Sequence, residues 1–390
     1  MQHAGRSREA AAAANGVFLE IREVPVHVGV LWPSAGAARD CGRGDIRLRF
    51  ERESGFIHNA AFEASRVDYS LRYDNALHFS PFFQAFEERL ARRLIERYGI
   101  RAKDIVEVGA GGGRFLGLLC ELGGNRGTGY DPSHDAAAAD ARLSERVRVV
   151  RDYYSDRHAD QPADLVVCRH VLEHVPDPRA MLRTIRNALD ARPAAVLYFE
   201  VPNSYYILRD LSIWDIIYEH CGYFVPESLG AMFEDCGFEI LDLHETYEGQ
   251  FVGIEARIAP AGASRTPRDL EPLARCISDF RGRFGAKRDA WQQRLEALRR
   301  EGKRCVVWGA GAKAVSFLNL LEIGHQIEYA VDINPGKQGS YLAGSGQEIV
   351  APAFLAEYRP DVAIVMNPAY EREIAEQLAA LCPATQTLCA

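Results

Sequence analysis

A glycine-rich loop that follows an acid is the strongest chemical signal in this sequence. Glu107 opens the pattern E-x-G-x-G-x-G, whose glycines are Gly109, Gly111 and Gly113. Glycines permit a tight turn and let the backbone approach a ligand closely. Asp131 ends the next strand-like run, GTGYD, where a carboxylate can accept hydrogen bonds from the two hydroxyls of a ribose. The loop therefore predicts a site for a nucleoside-containing ligand.

Two acids favour S-adenosylmethionine (SAM) over a dinucleotide at this loop. Glu107 precedes the glycines, and Asp152 follows the third strand-like run, VRVVRDYY, where contacts to an adenine would fall. A dinucleotide site and a purely structural turn remain the alternatives.

A second glycine loop lies near the end of the chain. Gly309, Gly311 and Ala314 fit G-x-G-x-x-A after the strand-like run CVVW, and Asp332 ends the following run. Taken alone, this pattern matches the fingerprint of an NAD-binding loop. A turn that serves only for packing is the alternative.

A third group is the tripeptide Tyr218, Glu219 and His220, which follows the fifth predicted strand of the larger domain. The methyl group of SAM is already activated, so the protein must align an acceptor and make it nucleophilic. For a carbon acceptor, a base must remove a proton next to a carbonyl. His220 is the candidate base because its pKa near neutrality suits this step, and Glu219 would orient it or grip the substrate. A surface hydrogen bond between the two is the alternative.

Predicted elements place these groups at the carboxyl ends of parallel strands. Apolar runs such as DIVEVG, DLVVC and AVLYFEV alternate with helical segments, which is typical of a parallel sheet covered on both faces. A second β-α-β pattern begins at Lys303. We therefore predict an α/β fold with two doubly wound, Rossmann-like domains. The expected division is a disordered start at 1–15, a small β-containing lobe at 16–70, the larger domain at 71–258, a helical linker at 259–302 and the second domain at 303–390.

Composition and charge argue against several classes of partner. The 390 residues leave room for two or three domains. With 46 basic and 54 acidic residues, the formal charge of −8 repels phosphate backbones and anionic lipids, so we expect neither nucleic acid nor membrane as a partner. The first 15 residues lack the apolar run of a signal peptide, which favours a cytoplasmic protein. The nine cysteines are never spaced as C-x-x-C and favour free thiols. No pattern indicates an oligomeric state.

The larger domain resembles the class I SAM-dependent methyltransferases through the segments EVGAGGGRF, GYDPS, RDYY and CRHVLEHVPDP. The resemblance implies that Glu107 and the glycines face the methionine part of SAM, that Asp131 faces the ribose, and that Asp152 with Tyr153 faces the adenine. It places three further residues at the cofactor, namely Pro132, Arg169 and His170.

The last of these segments also contains a possible set of metal ligands. His170, Glu173 and His174 fall at helical spacing, which would bring two imidazoles and a carboxylate to one face. In the family that this segment resembles, such histidines need not hold a metal, and we expect none here.

Further segments resemble the nucleotide-sugar C-methyltransferases of deoxysugar pathways. They are RVDYSLRYDNALHFSPFF, IIYEHCGYFVPESLGAMFEDCGF and the end of the chain with WGAGAKAVSFLN, YAVDINPGKQGSYLAGS and PDVAIVMNPAYEREI. The resemblance covers residues 50–380 and implies C-methylation of a nucleotide-activated keto-sugar or a related natural-product intermediate, through an enolate formed by a base. An O- or N-methyltransferase for another small molecule is the alternative, and a binding or regulatory protein that retains SAM is a third.

The same resemblance implies five catalytic positions, which are Tyr73, Tyr218, Glu219, His220 and Tyr223. The family motif Tyr-His-Glu-His, followed two residues later by Tyr, is matched except at its first two positions, where Ile217 and Tyr218 stand. The resemblance also implies that the second glycine loop holds the substrate's nucleotide, with helix amides on the pyrophosphate and Lys313 as a point charge. The implied substrate contacts are Gly309, Gly311, Lys313, Asp332, Asn334 and Lys337.

The N-terminal lobe departs from the family pattern. Members of the family carry a zinc lobe, but Glu51 and Ser54 stand where its second pair of cysteines should be. Because the upstream segment also lacks a C-x-x-C pair, four thiolates cannot be assembled there. We expect the lobe to fold without zinc.

Overall fold

The structure is a computed structural model and describes residues 16–68, 77–134, 145–321 and 326–390. In these residues the strands form three sheets, of four, seven and five strands. The two larger sheets are doubly wound, so the predicted α/β fold is confirmed.

The N-terminal lobe is a small antiparallel sheet. Its elements are β1 (Val17–Pro25), α1 (Ala35–Arg39), β2 (Arg43–Phe50) and β3 (Ile57–Asn59). Apolar residues at every second position of β2, Ile46, Leu48 and Phe50, are buried, as expected for a strand with one covered face. The fourth strand of the sheet, β9 (Gly222–Tyr223), comes from much later in the chain and pairs with β3. The lobe is thereby fastened to the segment that carries His220.

Polar contacts occupy the positions at which the family carries its second pair of zinc cysteines. Ser54 Oγ donates to Glu51 Oε2 over 2.9 Å, and His58 Nδ1 lies 3.4 Å from Glu51 Oε1. All cysteines among the described residues are free thiols.

The larger domain has a seven-stranded sheet. Its elements are α2 (Pro81–Tyr98), β4 (Asp104–Val108), α3 (Arg114–Gly123), β5 (Arg126–Tyr130), β6 (Val147–Val150), β7 (Leu165–Arg169), α4 (Pro178–Ala188), β8 (Val196–Pro202), α5 (Ser204–Leu208), α6 (Pro226–Asp235), β10 (Phe238–Thr246) and β11 (Phe251–Ile258). The strand order is β10-β11-β8-β7-β4-β5-β6. Only β11 runs antiparallel to its neighbours among these described strands. The chain leaves β4 towards β5 on one side and returns to β7 on the other, and the crevice at such a reversal binds ligands.

Helix α2 precedes the first strand of the seven-stranded sheet and has clear signals at both ends. Ser80 caps it by accepting from Phe83 N, Pro81 opens it, and Gly99 ends it in the left-handed conformation. Its apolar side, which includes Phe86 and Leu90, is buried against the sheet.

The C-terminal domain has a five-stranded parallel sheet. Its elements are α7 (Glu271–Arg300), β12 (Cys305–Trp308), α8 (Ala312–Leu320), β13 (Tyr329–Val331), β14 (Glu348–Val350), α9 (Leu355–Tyr358), β15 (Val362–Val365), α10 (Glu371–Leu381) and β16 (Gln386–Cys389). The strand order is β14-β13-β12-β15-β16, with the reversal between β12 and β15. The second glycine loop lies at this reversal, directly after β12.

Helix α7 joins the domains through a shared apolar core. It buries residues at helical spacing, including Phe280 and Trp291. Phe280 contacts Phe18 of β1 at 6.2 Å between ring centroids, and Trp291 contacts Phe317 of α8 at 5.3 Å. The helix therefore packs against both the lobe and the C-terminal domain. None of the helices in the described ranges combines the length and the apolar character needed to cross a bilayer.

Candidate functional site

The first glycine loop is held in a conformation that requires glycine. Gly109, Gly111 and Gly113 have φ values of 74°, 53° and 78°, in the left-handed region. A Cβ on Gly109 would overlap the side chain of Val171. Asp131, after β5, accepts from Gly111 N over 2.8 Å and from Ser133 N over 2.8 Å. The loop and the acid predicted to face a ribose are therefore adjacent.

Glu107 lies under this loop with 4% of its surface exposed. Its Oε2 accepts from Leu116 N over 3.2 Å. Burial raises the pKa of Glu107 to about 8, against the lowering effect of the nearby Arg169 guanidinium. A cationic ligand beside this carboxyl would favour its charged form, and SAM carries both a sulfonium and an ammonium. A glycine cradle, a buried acid and Asp131 fit SAM.

The residues predicted to contact the rest of SAM surround this loop. Pro132 follows Asp131, and its carbonyl accepts from Arg151 Nε over 3.3 Å. Asp152, after β6, accepts from Tyr153 N over 2.9 Å and pairs with Arg157 at 3.0 Å. Tyr153 is 61% exposed, which leaves its ring open to a ligand. The adenine contacts stay a prediction.

Arg169, at the end of β7, takes part in a buried ion-pair network. Its guanidinium lies 2.9 Å from Glu87 of α2 and 2.9 Å from Glu200 of β8, and 4.3 Å from the centre of the Phe115 ring. One terminal nitrogen has no hydrogen-bond partner among the described residues. The charge of Arg169 is thus balanced inside the protein, and only that nitrogen remains for the predicted cofactor contact.

His170 follows in a left-handed backbone conformation with a φ of 55°. Its N donates to the Glu200 carbonyl over 2.8 Å, and its ring centroid lies 4.4 Å from that of Phe251. Non-glycine residues adopt such a φ at a cost, and these residues concentrate at functional sites.

His220 lies beside a second histidine that the sequence did not connect with it. The ring centroids of His220 and His174 are 5.0 Å apart. His174 Nδ1 lies 3.0 Å from the Glu219 carbonyl, which can only accept, so Nδ1 donates. Burial lowers the pKa of His174 to about 4, and burial together with His174 lowers the pKa of His220 well below its usual range. Both rings are neutral at pH 7. One signal for this contact was available, because His174 follows β7 and His220 follows β8, which is the neighbour of β7 in the sheet.

Glu219 contacts both the lobe and His174. Its side chain is fully buried, and Oε1 accepts from Val28 N of the lobe over 2.7 Å. The carboxylate therefore anchors the lobe, while its main-chain carbonyl positions His174. The expected role of Glu219 in orienting His220 or gripping a substrate stays a prediction.

The three predicted catalytic tyrosines fall in different places. Tyr218 is buried in the lobe, its hydroxyl accepts from Glu63 N over 3.0 Å, and a Cβ on Gly44 would overlap its ring. Its expected substrate contact stays a prediction. Tyr223 is buried with its ring centroid 6.0 Å from that of His220, and its hydroxyl donates to the Ile217 carbonyl over 3.1 Å. Tyr73 lies outside the described residues.

The metal ligands suggested by spacing come together in a different combination. Glu173 and His174 lie in the 3-10 helix Leu172–His174 and meet His220, with one ligand atom from each residue within 4.8 Å of the others. His170 is not part of this set. Burial raises the pKa of Glu173 to about 8.

The second glycine loop, like the first, is held by the acid that follows the next strand. Gly309 has a φ of 103°, and Asp332 Oδ2 accepts from Ala310 N over 2.9 Å. Asp332 Oδ1 accepts from Asn334 N over 2.8 Å, as Asp131 does from Ser133. Lys337 is 4% exposed and donates to the Ala310 carbonyl over 3.3 Å. Asp332, Asn334 and Lys337 thus hold this loop together from inside, and their expected contacts to a substrate stay a prediction.

Lys313, at the start of α8 after Gly311, bridges two domains. Its Nζ forms an ion pair with Asp215 of the larger domain and lies 5.5 Å from the centre of the Tyr206 ring. Burial and Lys313 lower the pKa of Lys287 on α7. The ammonium expected to be free for a phosphate is paired with a carboxylate here.

Polar contacts also join the carboxyl end of β15 to the larger domain. Asn367 and Gln250 exchange two amide hydrogen bonds of 3.0 Å, and the Tyr247 and Tyr370 hydroxyls lie 2.6 Å apart. The reversal point of the second sheet therefore faces the larger domain.

Two family models match the chain. One is described as a methyltransferase domain and matches residues 83–243, and the other is described as a C-methyltransferase C-terminal domain and matches residues 269–388. The first contains the glycine loop, Asp131 and His220, and the second contains α7 and the second loop.

Individual relatives agree with these models. C-methyltransferase NovU of Streptomyces niveus is 29% identical over 308 residues, which are 73% of this chain and 71% of the relative. The ubiquinone biosynthesis O-methyltransferase of Pseudomonas paraeruginosa is 32% identical over 166 residues, 38% of this chain and 69% of the relative. Among solved structures, a Burkholderia thailandensis 1,6-didemethyltoxoflavin-N1-methyltransferase with S-adenosylhomocysteine bound has a TM-score of 0.36 and 19% identity over 47% of this chain and 88% of that one.

Proposed function

The chain belongs to the class I SAM-dependent methyltransferases, and from that premise we propose that it methylates a carbon atom of a nucleotide-activated keto-sugar or a related natural-product intermediate. The match of residues 269–388 to a C-methyltransferase C-terminal domain carries this proposal, since that description points to a carbon acceptor. The family models and relatives confirm the predicted cofactor, SAM, and the predicted activity, methyl transfer.

The first glycine loop places SAM at the carboxyl end of β4 in this proposal. Bound SAM supplies an activated methyl group. Glu107 and the amides of the loop face its methionine part, Asp131 its ribose hydroxyls, and Asp152 with Tyr153 its adenine. The contact between Asp131 and Gly111 N supports this arrangement because it holds the acid at the loop.

His220 acts as the base in the proposed reaction. Its neutral imidazole takes the proton from the carbon next to the substrate carbonyl, which leaves a carbanion-like carbon for the methyl group that bound SAM would supply. A neutral imidazole is required for this step, and the lowered pKa of His220 supplies it at pH 7. His174 lies against His220 and keeps the ring desolvated.

The second loop holds the nucleotide part of the substrate in this proposal, rather than NAD. Gly309, Gly311 and the first amides of α8 face the diphosphate, and Lys313 is the nearby cation. The contacts of Lys313, Asn367 and Gln250 support this role, since they turn the loop towards the larger domain.

O-methylation is a second candidate, because the methyltransferase domain also matches O-methyltransferases of ubiquinone biosynthesis. An oxygen acceptor needs only its hydroxyl proton removed, which the same imidazole can do.

The position of the new methyl group decides between these functions. The purified full chain is incubated with SAM carrying a carbon-13 methyl and with a panel of nucleoside-diphosphate keto-deoxysugars. The proposal predicts a product whose labelled methyl is bonded to carbon in carbon-13 NMR. A labelled methyl on oxygen or nitrogen would show that the alternative is correct.

A further inference from the structure

Three side chains that can each offer a ligand atom converge at the carboxyl end of β7. Glu173 and His174 come from the 3-10 helix after this strand, and His220 comes from the segment before β9. One ligand atom of each lies within 4.8 Å of the other two. Two imidazoles and a carboxylate are the protein ligands of several zinc enzymes, in which a fourth position stays open.

The carboxylate of Glu173 is a second observation that points to a cation. Glu173 is 2% exposed, and its Oε2 has no hydrogen-bond partner within the described ranges of the chain. A buried polar atom without a partner costs free energy, and more so when it is charged. A bound cation would satisfy this oxygen.

The neighbouring histidine is oriented as metal-binding histidines are. His174 Nδ1 donates to the Glu219 carbonyl over 3.0 Å, so the lone pair of the neutral ring is on Nε2. Metal-ligating histidines commonly donate their other ring N–H to a carbonyl or carboxylate, which fixes the tautomer. Glu219 is itself held by Val28 N, so this carbonyl has a fixed position.

We propose that Glu173, His174 and His220 bind one divalent transition-metal ion of the zinc type, and that the bound ion inhibits the enzyme. The ion takes the lone pair with which His220 would accept a proton. The inhibition therefore rests on the proposed function, but the metal site does not. Ligand atoms at zinc distances lie about 3.4 Å apart. Atoms separated by up to 4.8 Å therefore reach one ion by side-chain rotation.

Direct binding tests the metal site without any turnover. The full chain is stripped with a chelator and titrated with Zn²⁺ by calorimetry and with Co²⁺ by visible absorption. We expect one site per chain with the absorption of a four-coordinate Co²⁺. The isosteric Glu173→Gln and the His174→Asn variants should each weaken binding at least tenfold while SAM still binds. SAM binding shows that these variants are folded.

A matched control comes from a second acidic and histidine group, Asp242, His244 and Glu255, on β10 and β11. Arg93 and Arg97 already pair with its carboxylates, so Asp242→Asn should leave zinc affinity unchanged. If Glu173→Gln binds Zn²⁺ as tightly as the unmodified chain, or if no stoichiometric binding occurs, the metal site is refuted.

Turnover then tests the inhibition. Added Zn²⁺ should abolish methylation, and EDTA should restore it. Half-inhibition of the Glu173→Gln variant, measured against its own activity without zinc, should need at least tenfold more Zn²⁺. If zinc binds through these residues while methylation continues, the inhibition and the role of His220 as base are both wrong, but the metal site stands. If no nucleotide-sugar is methylated, the binding experiment still decides the site.

Discussion

Burial sets the protonation states of several acidic and imidazole side chains of the candidate site. It raises the pKa of Glu107 and of Glu173 to about 8 and lowers that of His174 to about 4. The pKa of His220 is lowered in the same way. At pH 7 the two imidazoles are therefore neutral, and the two carboxyls are largely protonated until a cation arrives. A site prepared in this way favours a cationic cofactor and provides a neutral base beside it.

The first prediction concerns His220. His220→Asn should slow methylation by roughly 10² to 10⁴ while SAM still binds, because the base acts before or during methyl transfer. In deuterated water, with S-adenosylhomocysteine in place of SAM, the unmodified enzyme should exchange the acidic substrate proton and the variant should not. His244→Asn, at the far side of the sheet, is the control and should keep full activity. Normal methylation by His220→Asn would remove His220 from the mechanism.

The second prediction concerns stability against pH. In the folded state Glu107 and Glu173 titrate at about 8, against 4.5 ordinarily, so the folded chain binds more protons than the unfolded chain between these values. Each carboxyl makes its full contribution to the free energy of unfolding below pH 4.5. As the pH rises to about 8, that contribution is lost at about 1.4 kcal/mol per pH unit for each group.

The lowered pKa of His174 makes stability rise with pH instead, but only between about pH 4 and pH 6.5. In the metal-free chain without SAM, the Tm should therefore fall between pH 6.5 and pH 8. The Tm of the Glu173→Gln variant should fall less steeply over the same range. Equal slopes in differential scanning calorimetry would contradict the raised pKa of Glu173.

At the scale of the elements, both glycine loops could be predicted from the sequence because a strand, a turn and a helix are encoded locally. The turn residues and the acid at the end of the next strand lie within about 25 residues of one another. The pairing of β9 with β3 could not be predicted, because a two-residue strand has no periodic pattern and its partner is far away in the chain. The contact of His174 with His220 depends on that pairing and on the order of β7 and β8.

The third prediction concerns the first loop. Gly109→Ala places a side chain at a φ of 74° and against Val171, so it should lower stability by about 1 to 3 kcal/mol and weaken SAM binding at least tenfold. Gly112→Ala is a matched control in the same loop, because a Cβ there meets no atom within 4 Å among the described residues and its φ is not left-handed. Denaturant unfolding and calorimetry with SAM measure both effects. Equal behaviour of the two variants would contradict the account of this loop.

At the scale of the whole molecule, one apolar core joins the lobe, helix α7 and the C-terminal domain. The Trp214 and Phe317 ring centroids lie 4.8 Å apart across the boundary of the two α/β domains. The sequence predicts helix α7 from its spacing of apolar residues, but it does not show which surfaces that helix covers. Contacts between domains depend on packing over long separations, which local patterns do not encode.

The last prediction concerns the ion pair between Lys313 and Asp215, which spans this boundary. If Lys313 turns to a substrate phosphate, Lys313→Ala should raise the KM for the nucleotide-linked substrate at least tenfold and leave SAM binding unchanged. Asp215→Asn separates this role from a purely structural one. It frees the ammonium, so substrate binding should be kept or tightened, because a charged oxygen no longer competes with the phosphate. If the pair only holds the domains together, both variants should weaken substrate binding and lower Tm to a similar extent. Steady-state kinetics and calorimetry of the two variants distinguish these outcomes, and activity that requires added NAD would instead assign the second loop to a dinucleotide.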